Sequence, residues 1–195
     1  MNYLAHIHIA HSTGTSLLGN FLGDFVKGSD LTAYPEHLRK GIVLHRKIDS
    51  YTDNHAAVMG LKECFPQDIR RFSGLVIDVH FDHLLCQFWH KFNTPDLHLM
   101  LDKFYQELRT TEVSLDGRFN QVRQGLLQHQ WLSDYQEFSS VIRACHQIEK
   151  RLSRPVAFVD KAKVHLQDNT EQFEEAFLSL YPELSRYAQG VAEQL

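Results

Sequence analysis

Cysteine, proline and glycine are all scarce in this chain. Its three cysteines, Cys64, Cys86 and Cys145, lie far apart and form no C-x-x-C pair among 195 residues. That pattern argues against a disulfide framework or a thiolate zinc site and fits a reducing cytoplasm. With only 5 prolines and 10 glycines, and no Gly- or Ser-rich linker, we expect one continuous domain over residues 1–195.

Long apolar runs and an excess of positive charge are also missing. The most apolar stretch, residues 75–85, is interrupted by Asp78 and Asp82, and the N-terminus lacks the basic start and apolar centre of a signal peptide. A net charge of -4 provides no global positive field for nucleic acid. The sequence therefore predicts a cytoplasmic protein with neither a nucleic acid nor a membrane as partner.

Apolar residues recur mostly at helical spacing, which predicts an all-α, single-domain helical bundle. The predicted helices cover approximately residues 16–27, 35 to beyond 53, 66–92, 97–111, 116–129, 132–152, and 156–192 with a break near Pro182. Residues 3–10 are ambiguous, because alternating apolar side chains would also suit a strand.

Histidine is abundant, with 13 in the chain, and histidine is the commonest side-chain ligand of metals. On a helical wheel His45, Asp49 and Asp53 continue the apolar arc of Leu38 and Ile42. A buried carboxylate persists only when it is paired, protonated or bound to a cation. The four-residue spacing therefore predicts a shared ion for at least two of these groups.

The predicted helix 66–92 repeats the anomaly, because Asp78, Asp82 and His83 interrupt an otherwise apolar helix. Asp24 adds a carboxylate at the border of the first apolar stripe. Nitrogen and oxygen ligands without thiolate suit manganese, magnesium or iron better than a structural zinc site.

Structural roles compete with this interpretation. A surface ion pair explains Asp53 equally well, packing is the favoured role of His8 and His11, and His80 fits either role. Buried ion pairs would also account for the set that comprises His45, Asp49, Asp78 and Asp82, although a shared metal or catalytic site is favoured for it.

Four ordered blocks carry a family resemblance. They are residues 1–6 (MNYLAH), 16–28 (SLLGNFLGDFVKG), 41–53 (GIVLHRKIDSYTD) and 78–85 (DVHFDHLL). Together they resemble bacterial acyl carrier protein phosphodiesterase. The likeness covers most of the chain and is densest in the first 90 residues, whereas the later half matches by helical character and length.

The resemblance implies a fold and a reaction. It implies kinship with the HD phosphohydrolases, so an HD-domain-like helical fold with a divalent metal is expected, with manganese favoured over magnesium or iron. The implied reaction hydrolyses the phosphodiester that joins 4'-phosphopantetheine to a serine of acyl carrier protein. The chain has no His-Asp dipeptide; it has His45 with Asp49 one turn later and the reversed pair Asp82-His83.

The resulting hypothesis assigns a role to each of these residues. The expected core ligands are Asp24, His45, Asp78 and Asp82, with His6 and His83 as ligands or as groups that orient them. Asp49 or Asp53 would orient the attacking water or a ligating imidazole, and Arg46 would contact the phosphate or the carrier. The acidic acyl carrier protein would dock on a basic face formed by Arg39, Lys40, Lys47, Arg70 and Arg71.

Two rival functions remain open on the sequence. One is a related metal-dependent phosphohydrolase that acts on a nucleotide or a small phosphoester. The other is a non-catalytic helical adaptor, in which the Asp and His groups form buried ion pairs that specify packing.

Overall fold

Helices make up the regular structure of the residues described by the computed structural model, which are 1–92, 96–115, 117–152 and 156–195. The α-helices are α1 (Tyr3–Ser12), α2 (Leu17–Leu22), α3 (Glu36–Asp53), α4 (Ala56–Cys64), α5 (Ser73–Gln87), α6 (Leu97–Thr110), α7 (Arg118–His129), α8 (Phe138–Glu149), α9 (Val159–Asp168) and α10 (Thr170–Ala192). Short 3-10 helices lie at Arg70–Phe72, Trp89–Lys91 and Ser133–Gln136. No strand occurs in the described ranges, so the all-α prediction is confirmed.

Helix α1 runs through the core of the bundle. Every residue from Tyr3 to Ala10 is buried, and the helix contacts α2, α3, α5, α6 and α10. A helix covered on all sides has no polar face, which is why its sequence did not distinguish helix from strand.

Helices α2 and α3 pack closely because glycines meet at their crossing. A Cβ on Gly41 would lie 2.7 Å from the Cα of Gly19, and a Cβ on Gly19 would lie 2.8 Å from the carbonyl oxygen of Leu38. This close approach fixes the position of the face of α3 that carries His45.

Several predicted helix boundaries were wrong. Helix α2 ends at Leu22 and not near Lys27, because the chain turns at Gly23 through hydrogen bonds from the amides of Phe25 and Val26 to the Leu22 carbonyl oxygen. Helix α3 ends at Asp53, and α4, which was not predicted, begins three residues later after its cap His55.

The later segments are also more divided than predicted. The 66–92 segment consists of α5 flanked by two 3-10 turns, and extended backbone at Glu137 separates α8 from the preceding turn. The break in the last segment falls at Asn169, whereas Pro182 lies inside α10, whose apolar face buries Phe177 and Tyr181 among others. The predicted start at Asp116 lies outside the described residues.

The described helices include none whose length and apolar character would let it cross a lipid bilayer.

Candidate functional site

Asp49 joins two histidines from different helices. The Nε2 atom of His6, on α1, lies 3.0 Å from Asp49 Oδ1, and the Nε2 atom of His45, one turn before Asp49 on α3, lies 3.1 Å from Oδ2. The two imidazole rings stack with their centroids 3.8 Å apart. We call His6, His45 and Asp49 the His-Asp-His cluster.

Gly23 makes room for this cluster. A Cβ at Gly23 would lie 2.2 Å from Cγ of the His45 ring, so only glycine allows the turn after α2 to lie against the imidazole. The glycine of the resemblance block 16–28 therefore has a steric role beside the site.

The cluster combines buried rings with a half-exposed carboxylate. His6 and His45 are 1% and 3% exposed, whereas the Asp49 side chain is 40% exposed. Burial, reinforced by the neighbouring charge of His45, lowers the pKa of His6 to about 3, so the ring is neutral. Burial alone would raise the pKa of Asp49, but hydrogen bonds from His45 and His6 outweigh it and hold that pKa well below its usual range.

Two further carboxylates border the cluster. The α-amino group of Met1 lies 2.9 Å from Asp78 Oδ1 and 3.5 Å from Asp49 Oδ1, which links α5 to the cluster. Burial raises the pKa of Asp24, and the positive charges of His45 and Arg118 oppose that rise. Asp24 directly follows Gly23, whose backbone lies against the ring of the same histidine.

Asp82 is fully buried but binds backbone amides. Its Oδ2 and Oδ1 atoms accept hydrogen bonds from the backbone N–H groups of Leu4 and Ala5, each at 3.0 Å. These amides belong to the first turn of α1, so Asp82 caps that helix from α5 and fixes the position of His6. Burial raises the pKa of Asp82 to about 7, although the two amide hydrogen bonds oppose the rise.

Other residues of the hypothesis are directed elsewhere. His83 Nδ1 lies 2.7 Å from the carbonyl oxygen of Tyr135, Asp53 pairs with Lys62 at 2.9 Å, and Arg46 donates to the carbonyl oxygen of Val26 at 3.0 Å. In these positions, none of the three contacts the His-Asp-His cluster through the hydrogen bonds or ion pairs described.

The expected docking residues have varied surroundings. Lys40 pairs with Glu36 at 3.2 Å, Arg70 donates to the Phe65 carbonyl oxygen, and Arg71 lies over the ring of Phe72. Lys47 is exposed and Arg39 is half-buried, both on α3.

The structure also brings in groups that the sequence did not single out. Arg118, at the start of α7, donates to the Tyr3 hydroxyl at 2.9 Å and lies 5.4 Å from the centre of the Phe25 ring, and Phe25 follows Asp24 in the chain. Tyr3 lies within the first resemblance block, residues 1–6, but no periodicity or spacing in the sequence indicated Arg118.

The donor set fits a divalent cation. Within the described ranges, His6, His45 and Asp49 are the one group of three in which a ligand atom of each lies within 4.8 Å of the others. The Nδ1 atoms of both rings are buried without a hydrogen-bond partner in this part of the chain. Two imidazoles and a carboxylate, with no thiolate, suit manganese, iron or magnesium.

Comparison with known proteins identifies the family. The family model described as acyl carrier protein phosphodiesterase matches residues 1–184. A relative named acyl carrier protein phosphodiesterase from Klebsiella pneumoniae (strain 342) is 37% identical over 97% of this chain and 98% of its own length. A protein of the same name from Salmonella agona (strain SL483) is 33% identical over 96% of this chain and 97% of its own. No solved structure matches the chain.

Fold and family match together define an all-helical enzyme of the phosphodiesterase class. The chain belongs to the acyl carrier protein phosphodiesterase family.

Proposed function

We propose that the protein is a metal-dependent hydrolase of the phosphodiester between 4'-phosphopantetheine and a serine of acyl carrier protein. The observation that carries the proposal is the His-Asp-His cluster, in which two buried imidazoles converge on a half-exposed carboxylate. The names of the relatives supply the substrate class.

In this proposal His6, His45 and Asp49 hold the cation, with the carboxylates of Asp78 and Asp24 beside the cluster. When bound, a divalent cation supplies charge neutralisation to phosphate oxygens and makes water acidic enough to attack at neutral pH. Manganese is favoured, and magnesium or iron would also suit the donor set.

Asp24 and Asp82 have supporting roles in the proposed reaction. Asp24 has a raised pKa, which suits a carboxylate that accepts a proton from the attacking water. Asp82 holds the first turn of α1 and so positions His6, acting through the backbone rather than on the substrate.

The reaction is a hydrolysis that balances without a further reactant. Water adds to phosphorus, the bond from phosphorus to the serine oxygen breaks, and the serine oxygen takes up a proton. The products are apo-acyl carrier protein and free 4'-phosphopantetheine. We also propose that the fold is related to that of the HD phosphohydrolases.

The direct test incubates the protein with holo-acyl carrier protein and manganese and follows the carrier by mass spectrometry. We expect loss of the phosphopantetheine mass, and no loss after treatment with a chelator. Hydrolysis of nucleotides or small phosphoesters, with an unchanged carrier, would favour the related phosphohydrolase instead. Failure of every substrate and every divalent ion would favour the adaptor.

A further inference from the structure

Arg118 is held in place by two neutral neighbours. Its guanidinium donates a hydrogen bond to the Tyr3 hydroxyl at 2.9 Å and lies 5.4 Å from the centre of the Phe25 ring. A hydroxyl and an aromatic ring orient a guanidinium but do not neutralise its charge.

The same contacts place Arg118 beside the His-Asp-His cluster. Tyr3 precedes His6 by three residues on α1, so the two side chains lie on the same helix face, one turn apart. Phe25 lies two residues after Gly23, whose backbone lies against the His45 ring of the cluster.

Arg118 also keeps free donor capacity. A guanidinium carries five N–H groups, and within the described ranges Arg118 makes one hydrogen bond and has no carboxylate within 4.0 Å. Arg123, on the same helix, differs because it donates to the carbonyl oxygens of Leu108, Arg109 and Thr111. Arg118 is exposed and so accessible to a ligand.

An anionic ligand needs a positively charged side chain beside the His-Asp-His cluster. Asp49 within the cluster and the carboxylates of Asp24 and Asp78 beside it would repel a phosphate group. A planar guanidinium pairs with phosphate oxygens through two parallel hydrogen bonds. We propose that Arg118, oriented by Tyr3, binds the non-bridging oxygens of the substrate phosphate beside the His-Asp-His cluster. The inference rests on the proposed function for the identity of that phosphate.

Tyr3 is then a positioning residue. Burial raises the pKa of Tyr3 to about 12, and the charge of Asp24 raises it further while that of Arg118 lowers it, so the hydroxyl stays protonated at neutral pH. It accepts the hydrogen bond from Arg118 and holds the guanidinium at the edge of the site.

The test measures binding of inorganic phosphate by calorimetry, which needs no turnover. In the presence of magnesium, R118Q should bind phosphate about 10- to 100-fold more weakly than the wild type, and R118K should fall between them because the paired geometry is lost. The matched control is R186Q, which removes one exposed arginine charge from α10 and should leave phosphate affinity unchanged. Y3F should weaken binding by a smaller factor, with its melting temperature unchanged.

A second measurement separates ligand binding from a structural defect. Added guanidinium should restore phosphate binding to R118A, whereas a misfolded site would not respond. Phosphate affinity of R118Q within about twofold of the wild type would overturn the inference, as would a wild type that binds no phosphate.

The turnover assay distinguishes this inference from the proposed function. If the wild type leaves holo-acyl carrier protein intact but binds phosphate, and R118Q loses that binding, the proposed substrate is wrong and the anion site stands. If the wild type hydrolyses the carrier and R118Q behaves like the wild type in both assays, only the inference about Arg118 fails.

Discussion

Asp49 is the residue on which the site depends, because its carboxylate pairs with the imidazoles of two helices and its pKa is held well below the usual range. Asp53, one turn later on the same helix, provides a matched comparison, since it is exposed and pairs with Lys62. Asp49→Asn keeps the side-chain volume and removes the charge, so we expect kcat/KM to fall by at least about 100-fold with loss of metal stimulation.

Asp53→Asn should keep kcat/KM within about twofold of the wild type in the same assay. Equal losses in the two variants would contradict the assignment of the cation to the His-Asp-His cluster.

The buried ring of His80 makes the stability of the protein depend on pH. Neither of its ring nitrogens has a hydrogen-bond partner in the described part of the chain, and it packs against His83, Phe138 and Phe173. Burial, with a contribution from the charge of His83, lowers its pKa to about 3 from 6.5. Between these values the unfolded chain binds a proton that the folded protein does not, so stability falls as pH falls below about 6.5.

Replacing His80 by Leu removes this contribution. Between about pH 6 and pH 4, the free energy of unfolding should fall more steeply with decreasing pH in the wild type than in His80→Leu. We expect the two slopes to differ by about 1.4 kcal/mol per pH unit. Urea denaturation at several pH values measures the difference. Parallel curves for the two proteins would show that His80 is not buried and neutral.

At the scale of helices, the glycine contact between α2 and α3 sets the geometry of the site. A methyl group on Gly41 would meet the backbone of Gly19 and Asn20 at 2.7 Å, whereas one on Gly60, in α4, meets nothing within 4 Å. Gly41→Ala should lower the free energy of unfolding by about 1–3 kcal/mol because the helices must separate.

Gly60→Ala is the control, and it should raise the free energy of unfolding by roughly 0.5–1 kcal/mol, since alanine favours an exposed helix. Thermal and urea unfolding give both values. A neutral Gly41→Ala would contradict the close crossing.

The sequence predicted some helices and pairings well and could not reveal others. The pairing of His45 with Asp49 follows from helical spacing alone, and α3 and α6 were placed within a few residues. The approach of His6 depends on how α1 packs, and a helix buried on every face has no periodicity to show it. Asp82 was correctly expected to be buried, but its partners are backbone amides, which have no side-chain signature.

At the scale of the whole molecule, charge limits how an acidic carrier can bind. The chain has a net charge of -4, so attraction depends on local cations such as exposed Lys47 rather than on the overall field. Raising the salt from about 50 to about 200 mM should therefore increase KM for the carrier by about threefold or more, with little change in kcat. An unchanged KM would contradict docking on a basic face.

The most direct test of the proposed metal site is anomalous diffraction at the manganese absorption edge from crystals grown with Mn²⁺. The account predicts one strong peak within roughly 2–2.5 Å of a nitrogen of His6, a nitrogen of His45 and an oxygen of Asp49. A manganese peak elsewhere in the molecule, or none, with these three side chains still hydrogen-bonded to one another, would contradict it.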